Sequence, residues 1–136
     1  MIKGIYGINV AVKNLDEAIA RYESVFGVKA ERLTEADFAF PGLVGAKLNI
    51  NGIYINLIAS TRDDTSVARF LDKKGEGLFL LSVRTDAVDE DTNALKQRGL
   101  QFILDKSARG KFGAVNFVHP KSMHGVQLEI YQPSEA

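Results

Sequence analysis

One order of elements occurs twice in this chain, and it restricts the possible folds more than any other feature. In each copy, a strand with alternating apolar residues leads into a capped helix and then into three further strand-like segments. A shift of 73 residues carries Val12 onto Thr85, and the same shift carries Leu15 onto Val88. The sequence therefore predicts two copies of a βαβββ module.

The first copy has clear start and stop signals. Residues 8–12 alternate as in a strand with one apolar face, and Asn14 is predicted to cap the helix that follows. Gly27 is predicted to end that helix in the left-handed conformation. Asn51 and Gly52 are the favoured pair for a two-residue hairpin turn. Strands are accordingly expected at about 29–34, 45–50 and 53–59.

The second copy repeats this order after a short helix predicted over 65–73. Leu81 and Val83 alternate with polar residues, Asp86 is predicted to cap the helix, and Gly99 ends it. Strands are expected at about 101–104, 113–118 and 125–131. We predict one domain over residues 1–136, with modules at about 4–60 and 77–132 joined by a helical linker at 64–76.

Strand alternation also predicts two kinds of sheet face. The helix-facing residues are expected to be Ile8, Val10, Val12, Ile53, Ile55, Leu57, Leu81, Val83, Val126, Leu128 and Ile130. Two modules side by side would curve their other faces into a ligand cup, and the scarcity of lysine there favours binding over simple solvation. The residues predicted to line the cup are Gly7, Asn9, Tyr54, Asn56, Leu80, Ser82, Arg84, Gln127, Glu129 and Tyr131.

Charge and cysteine content restrict the function classes. Seventeen basic residues balance seventeen acidic ones, so no net field favours nucleic acid or an anionic membrane. The absence of cysteine removes disulfides, thiolate metal sites and cysteine nucleophiles. No signal peptide or long apolar run is apparent. We therefore expect a cytoplasmic protein whose partner is a small molecule.

Three stretches resemble a known superfamily. AVKNLDEAIARYESVFGV at 11–28, VARFLDKKGEG at 67–77 and FVHPKSMHGVQLEI at 117–130 are similar to segments of the vicinal oxygen chelate proteins. These include glyoxalase I, bleomycin-resistance proteins, extradiol dioxygenases and methylmalonyl-CoA epimerase, and the epimerase branch is the most similar. The resemblance implies an α+β fold in which two βαβββ modules pair into one curved mixed sheet with a ligand cup. It also implies a homodimer.

The resemblance implies a divalent metal held by a histidine, a glutamate or glutamine, a second histidine and a glutamate. Carried over by motif, these four positions fall on Gly7, Asn56, Leu80 and Glu129. Two of them have no ligand atom in the side chain, and an amide is a weak ligand for a zinc-type ion. We therefore expect no tightly bound metal and no cofactor. The two histidines, His119 and His124, match a family loop and are interpreted as turn residues.

Without a metal, Glu129 becomes the principal candidate for catalysis. Beside an apolar residue such as Leu80 and without a cation, its pKa is expected to rise towards the range of a general acid or base. The alternative is an ordinary glutamate that pairs with Arg84 or forms a hydrogen bond with Tyr54 or Asn56. The sequence leaves both interpretations open.

Two functional hypotheses follow, and whether the protein is an enzyme stays open between them. In the first, the cup binds a small organic molecule without a tightly bound metal, with apolar contacts from residues such as Tyr54 and Tyr131. In the second, the protein is a metal-independent lyase or isomerase that uses Glu129 as an acid or base. A methylmalonyl-CoA epimerase or lactoylglutathione lyase with an atypical metal site is less favoured. A further alternative is a phosphate-bearing ligand bound by Lys106, Arg109, Lys111 and Lys121.

Overall fold

Residues 1–134 are described by a computed structural model in which the predicted order of elements occurs twice. The described residues divide into a first unit, residues 7–79, and a second unit, residues 1–6 with 80–134. No helix within residues 1–134 is long and apolar enough to cross a lipid bilayer. The elements in chain order are β1 (Ile2–Ala11), α1 (Leu15–Phe26), β2 (Glu31–Leu33), β3 (Leu43–Ile50), β4 (Ile53–Ser60), α2 (Ser66–Lys74), β5 (Gly77–Thr85), α3 (Val88–Gln97), β6 (Ala108–Gly110), β7 (Gly113–Val118) and β8 (Leu128–Pro133).

The first unit contains a mixed set of strands in the order β2-β3-β4-β1. β1 pairs in parallel with β4, with Asn9 opposite Asn56, whereas β3 pairs antiparallel with both β4 and β2. The predicted turn joins β3 to β4, and its two residues, Asn51 and Gly52, have the positive φ angles of 53° and 97° that such a turn needs. This register places the two asparagines on one face of the strands.

Helix α1 begins and ends at the predicted residues. The side chain of Asn14 accepts a hydrogen bond of 3.0 Å from the backbone N–H of Glu17, and Gly27 ends the helix at a φ of 68°. The apolar side of the helix, including Ile19, packs on alternate strand residues such as Val10 and Leu57. This packing forms the main core of the first unit.

Helix α2 packs on the opposite face of the same strands. Val67 is completely buried in a cluster with Ala11 and Ile58, which alternate with the strand residues that contact α1. Ala11 and Ile58 are each two positions beyond Asn9 and Asn56 on their strands. The segment predicted as a linker is therefore an integral part of the first unit, and α2 covers one end of its polar face.

The second unit repeats the arrangement with strands in the order β5-β8-β7-β6. β5 pairs in parallel with β8, with Ser82 opposite Glu129, and β7 pairs antiparallel with β8 and β6. Val88 of α3 is completely buried in a core cluster with Val83 and Ile130. The predicted α+β class with two βαβββ modules is confirmed.

The strand predicted at 101–104 is wrong. Only Phe102 forms an isolated bridge there, with Val118, and the edge strand β6 forms later, at Ala108–Gly110. The reason is the side chain of Asn116, which accepts a hydrogen bond of 3.3 Å from the N–H of Leu104 and donates one of 3.1 Å to its carbonyl. These bonds replace the ladder that a continuous strand would form.

Two further differences occur at the ends of elements. Asp86 does not cap α3: the cap is Ala87, and the first helical N–H, that of Val88, is bonded at 3.1 Å by the side chain of Gln132 from β8. Ile53 and Val126, predicted to face the helices, are 49% and 46% exposed. Ile53 is the first residue of β4, directly after the turn, and Val126 precedes β8, so neither lies inside the part of the sheet that the helices cover.

Candidate functional site

The polar face of the second unit is organised around a hydrogen bond between two strands. Ser82 Oγ donates to Glu129 Oε1 at 2.6 Å. Ser82 is completely buried and Glu129 is partly buried, while Phe117 of β7, only 6% exposed, lies opposite Glu129 in the antiparallel ladder. The carboxyl group is therefore flanked by a hydroxyl on one neighbouring strand and by an aromatic residue on the other.

The surroundings of Glu129 favour its neutral form. Burial raises the pKa of this carboxyl above its ordinary value, and the hydrogen bond from Ser82 only partly opposes the effect. No ion pair in the described residues involves Glu129, and Arg84, which was one predicted partner, is exposed. Glu129 therefore keeps its proton to a higher pH than a solvated glutamate, which suits a general acid or base.

Two aromatic residues of the second unit extend this face. The ring of Tyr131 contacts that of Tyr6 edge to face, with centroids 4.8 Å apart, and the Tyr131 hydroxyl donates a 2.7 Å hydrogen bond to the carbonyl of Phe112. Tyr6 was not predicted for this site because strand alternation assigns it to the face of Ile8, which was expected to pack on a helix. Phe117 was missed because no face was assigned to its strand, although the β7–β8 hairpin could have placed it.

The other three residues predicted for this face differ from one another in burial and in their place along the strands. Leu80 is 5% exposed and belongs to β5, two positions before Ser82. Gln127 precedes β8, and its backbone carbonyl accepts a 3.0 Å hydrogen bond from the N–H of Leu81. Arg84 lies opposite Tyr131 in the β5–β8 register, but it is exposed. Of these three, only Leu80 adds a buried side chain.

The polar face of the first unit has an equivalent pair. Asn56 Nδ2 donates a 2.9 Å hydrogen bond to Asn9 Oδ1, and Asn9 is 7% exposed. The asparagines are 47 residues apart, as are Ser82 and Glu129, and the shift of 73 residues relates one pair to the other. The Oδ1 atom of Asn56 is buried and has no hydrogen-bond partner among residues 1–134. An acceptor is thus left unused in this unit.

A lysine that the sequence analysis did not select lies on the same face of the first unit. Lys47 of β3 is opposite Asn56 in the β3–β4 register. Its ammonium group lies 5.2 Å from the centre of the Tyr54 ring and 3.4 Å from a carboxylate oxygen of Glu31. The predicted site residue Tyr54 is therefore in contact with a cation.

Gly7 occupies a position where two strands approach very closely. It is buried opposite Tyr54 in the β1–β4 register, and a Cβ atom at this position would lie 1.9 Å from the Tyr54 carbonyl oxygen. No side chain fits there unless the backbone moves. Gly7 therefore does more than lack a metal-binding side chain. It permits a close approach of β1 to β4 that histidine would prevent.

The residues present do not fit the divalent metal that the resemblance implies. Gly7 and Leu80 provide no side-chain donor, which leaves Asn56 and Glu129 as the only side chains of the four with oxygen atoms. Within residues 1–134, no group of three or more histidine, aspartate or glutamate side chains is placed to hold a metal ion. The donor chemistry thus disagrees with the metal set of the family.

Arg109 and the two histidines have local structural roles. Arg109 donates a 2.6 Å hydrogen bond to Asp89, which also accepts one of 2.7 Å from Ser107. His119 Nδ1 accepts from the backbone N–H of Lys121, and His124 is in the left-handed conformation with a φ of 54°. Both histidines are turn residues, as predicted.

Comparisons with known proteins agree on one family. A family model described as the Glyoxalase/Bleomycin resistance protein/Dioxygenase superfamily matches residues 7–118. The mitochondrial methylmalonyl-CoA epimerase of Dictyostelium discoideum is 25% identical over 90% of this chain and 74% of its own length. Methylmalonyl-CoA epimerase from Mycobacterium tuberculosis is 29% identical, with a TM-score of 0.88 over 98% of this chain and 89% of that one. A variant of the Streptomyces coelicolor epimerase in complex with 2-nitronate-propionyl-CoA is 28% identical, with a TM-score of 0.91 over 100% and 98%.

Proposed function

This chain belongs to the glyoxalase/bleomycin resistance protein/dioxygenase superfamily, and from this premise we propose that it binds a small organic molecule without a tightly bound metal. The hydrogen bond between Ser82 and Glu129 is the observation that carries the proposal. Two hydrogen-bonded pairs of the described residues include a residue at a predicted metal-ligand position, Asn9–Asn56 and Ser82–Glu129. Only the second pair contains an ionisable group, and its buried serine and neighbouring Phe117 place that group in apolar surroundings.

The second unit has the composition of a ligand-binding face. Such sites are mostly apolar, with a few polar groups that fix the orientation of the ligand. Leu80, Phe117 and the Tyr6–Tyr131 pair supply the apolar surface, and the Ser82–Glu129 pair supplies the polar group. The ten residues predicted from the sequence to line one cup stay a prediction.

A second candidate function is favoured by the raised pKa of Glu129. In this alternative the protein is a metal-independent lyase or isomerase, and Glu129 transfers a proton to or from the substrate. Ser82 fixes the orientation of the carboxyl group through Oε1, which leaves Oε2 for the substrate. A neutral carboxyl group can donate a proton, whereas its ionised form can accept one, so the direction of transfer depends on pH.

Epimerase activity of the metal-dependent kind has weaker support. The named relatives are methylmalonyl-CoA epimerases, which makes coenzyme A thioesters a rational set of probes. In metal-dependent enolate chemistry, however, the cation contributes several kcal/mol to stabilising the developing charge. The donor set of this chain does not fit that cation, and the same objection applies to a lactoylglutathione lyase.

Native mass spectrometry of the purified protein tests the proposal. We expect a protein free of stoichiometric metal, with a retained organic ligand or one acquired from a library of small molecules and coenzyme A thioesters. The same spectrum tests the predicted homodimer. Stoichiometric zinc, cobalt, nickel or manganese that is lost in Glu129→Ala would contradict metal-free binding.

Glu129→Gln separates the two candidate functions. Glutamine keeps the size and hydrogen-bonding capacity of the side chain but cannot transfer a proton at an accessible pH. A binding protein should keep its ligand in this variant. An enzyme should keep the ligand and lose turnover by about 100-fold or more, which is the usual contribution of a general acid or base.

A further inference from the structure

Two asparagines, Asn116, which is completely buried, and Asn56, which is partly buried, differ in how fully their hydrogen-bonding atoms are used. Asn116 Oδ1 accepts from the backbone N–H groups of Phe117 and Leu104 at 2.7 and 3.3 Å, and its Nδ2 donates to the Leu104 carbonyl. Asn56 makes one side-chain hydrogen bond, from Nδ2 to Asn9, and its buried Oδ1 has no partner among the described residues. The first asparagine is structurally satisfied, and the second is not.

Burial of an unpaired acceptor is unfavourable. The penalty is about 1–3 kcal/mol, because the acceptor loses its hydrogen bonds to water without replacing them. Such a group in a folded protein therefore needs an explanation, and a role in binding is one. Asn56 lies on the polar face of β4, between β1 and β3.

A candidate donor on the neighbouring strand, Lys47, is already engaged. Lys47 lies opposite Asn56, but its ammonium group is held 3.4 Å from Glu31 and over the ring of Tyr54. The amide group of Asn9 receives the hydrogen bond from Asn56 through its oxygen atom. Neither group supplies the hydrogen that Asn56 Oδ1 lacks.

We propose that Asn56 Oδ1 determines ligand specificity by accepting a hydrogen bond from a hydroxyl or amide N–H group of the ligand. The inference rests on the proposed small-molecule function and adds a ligand class to it. Lys47 on the neighbouring strand disfavours a cationic donor such as an ammonium group, since like charges repel. The ligand class is therefore an uncharged alcohol, phenol or amide.

Protein stability provides the first test. Replacing both members of the amide pair, in Asn9→Leu/Asn56→Leu, removes the unpaired acceptor together with its partner, so the melting temperature should stay constant or rise. Asn116→Leu is the matched control, because it removes three satisfied hydrogen bonds and should lower the melting temperature by roughly 10 °C. A comparable decrease in both variants would show that the Asn9–Asn56 pair is structural and would overturn the inference.

Matched probes provide the second test. Phenol and anisole, benzyl alcohol and benzyl methyl ether, and N-methylbenzamide and N,N-dimethylbenzamide each differ by one hydrogen-bond donor. Affinities measured by ligand-observed NMR should favour the donor in each pair by roughly 3–10-fold, the equivalent of one hydrogen bond. The preference should disappear in Asn9→Leu/Asn56→Leu.

The outcomes distinguish this inference from the proposed function. Equal binding within every pair overturns the assigned role of Asn56, while binding of a small molecule still stands. Failure of all six probes to bind contradicts the inference, whereas the proposed function is decided by the native mass spectrum. Preference for a donor that persists in the double variant would place the responsible acceptor elsewhere and also overturn the inference.

Discussion

Ser82 Oγ donates a 2.6 Å hydrogen bond to Glu129 Oε1, so a completely buried hydroxyl supports a carboxyl group whose pKa burial has raised. The bond joins directly opposed residues of two parallel strands. The same strand positions of the first copy hold Asn9 and Asn56, which cannot ionise. Equivalent positions of the two copies thus carry a titratable group in the second copy only.

Removal of the Ser82 hydroxyl should raise the pKa of Glu129 further. The hydroxyl stabilises the ionised carboxylate and so lowers the pKa. In Ser82→Ala nothing opposes the increase in pKa that burial causes. Carbon-13 NMR titration of the side-chain carboxyl groups of the glutamates and aspartates measures the change. Ser107→Ala is the matched control: its hydroxyl donates to the exposed Asp89, whose pKa is lowered by that bond, and the Asp89 pKa should rise while that of Glu129 stays constant. An unchanged Glu129 pKa in Ser82→Ala would contradict this account.

The stability of the protein should depend on the ionisation of Glu129. Its folded-state pKa lies above the ordinary value of 4.5, so this residue destabilises the fold progressively as the pH rises from about 4.5 through the raised pKa. Each pKa unit of elevation corresponds to about 1.4 kcal/mol. Urea denaturation at a series of pH values should show that the free energy of unfolding of the wild type falls over this range relative to Glu129→Gln. A constant difference would mean that Glu129 titrates as a solvated glutamate.

A methyl group at position 7 should destabilise the protein. In Gly7→Ala the new Cβ would lie 1.9 Å from the Tyr54 carbonyl oxygen, and the strands must separate to admit it. Such overpacking costs about 1–3 kcal/mol. Gly4→Ala in the same strand is the control, because nothing lies within 4 Å of its Cβ position, and it should change stability by less than about 0.5 kcal/mol. Equal denaturant midpoints for the two variants would refute the steric explanation.

Histidines at the two positions that match the family's motif should not by themselves create a tight metal site. In Gly7→His/Leu80→His the Cβ atom of the first histidine meets the Tyr54 carbonyl oxygen, so its side chain cannot be accommodated without displacing the strand. We expect a destabilised protein with no tight zinc binding. Isothermal titration with zinc, compared with Leu80→His alone, measures the effect. Tight stoichiometric zinc binding by the double variant, with wild-type stability, would show that the strands separate readily.

Local signals predicted most of the fold. The Asn14 cap, the left-handed Gly27 and the Asn51-Gly52 turn depend on short-range geometry, and the structure confirms all three. The misassigned strand at 101–104 and the misplaced cap at Asp86 depend instead on tertiary hydrogen bonds, from Asn116 and Gln132 respectively. A single sequence does not show such long-range partners.

The candidate site was predictable in outline but not in its bonding. Strand alternation and the 73-residue shift placed Ser82 and Glu129 on one face, yet the expected partners of Glu129 did not include Ser82. Lys47 and Phe117 were missed because their strands were not given faces, and only the observed registers place them beside Asn56 and Glu129. Site membership of the ten predicted residues therefore stays a prediction.

The close approach of Gly7 to the Tyr54 carbonyl also has an evolutionary consequence. Because the two backbones are in a contact that excludes a Cβ atom, a substitution to histidine at position 7 is penalised before any benefit of metal binding appears. Such a substitution would first require permissive changes that move β1 away from β4. The contact is thus an epistatic constraint, because the acceptability of a side chain at position 7 depends on changes made elsewhere in the two strands.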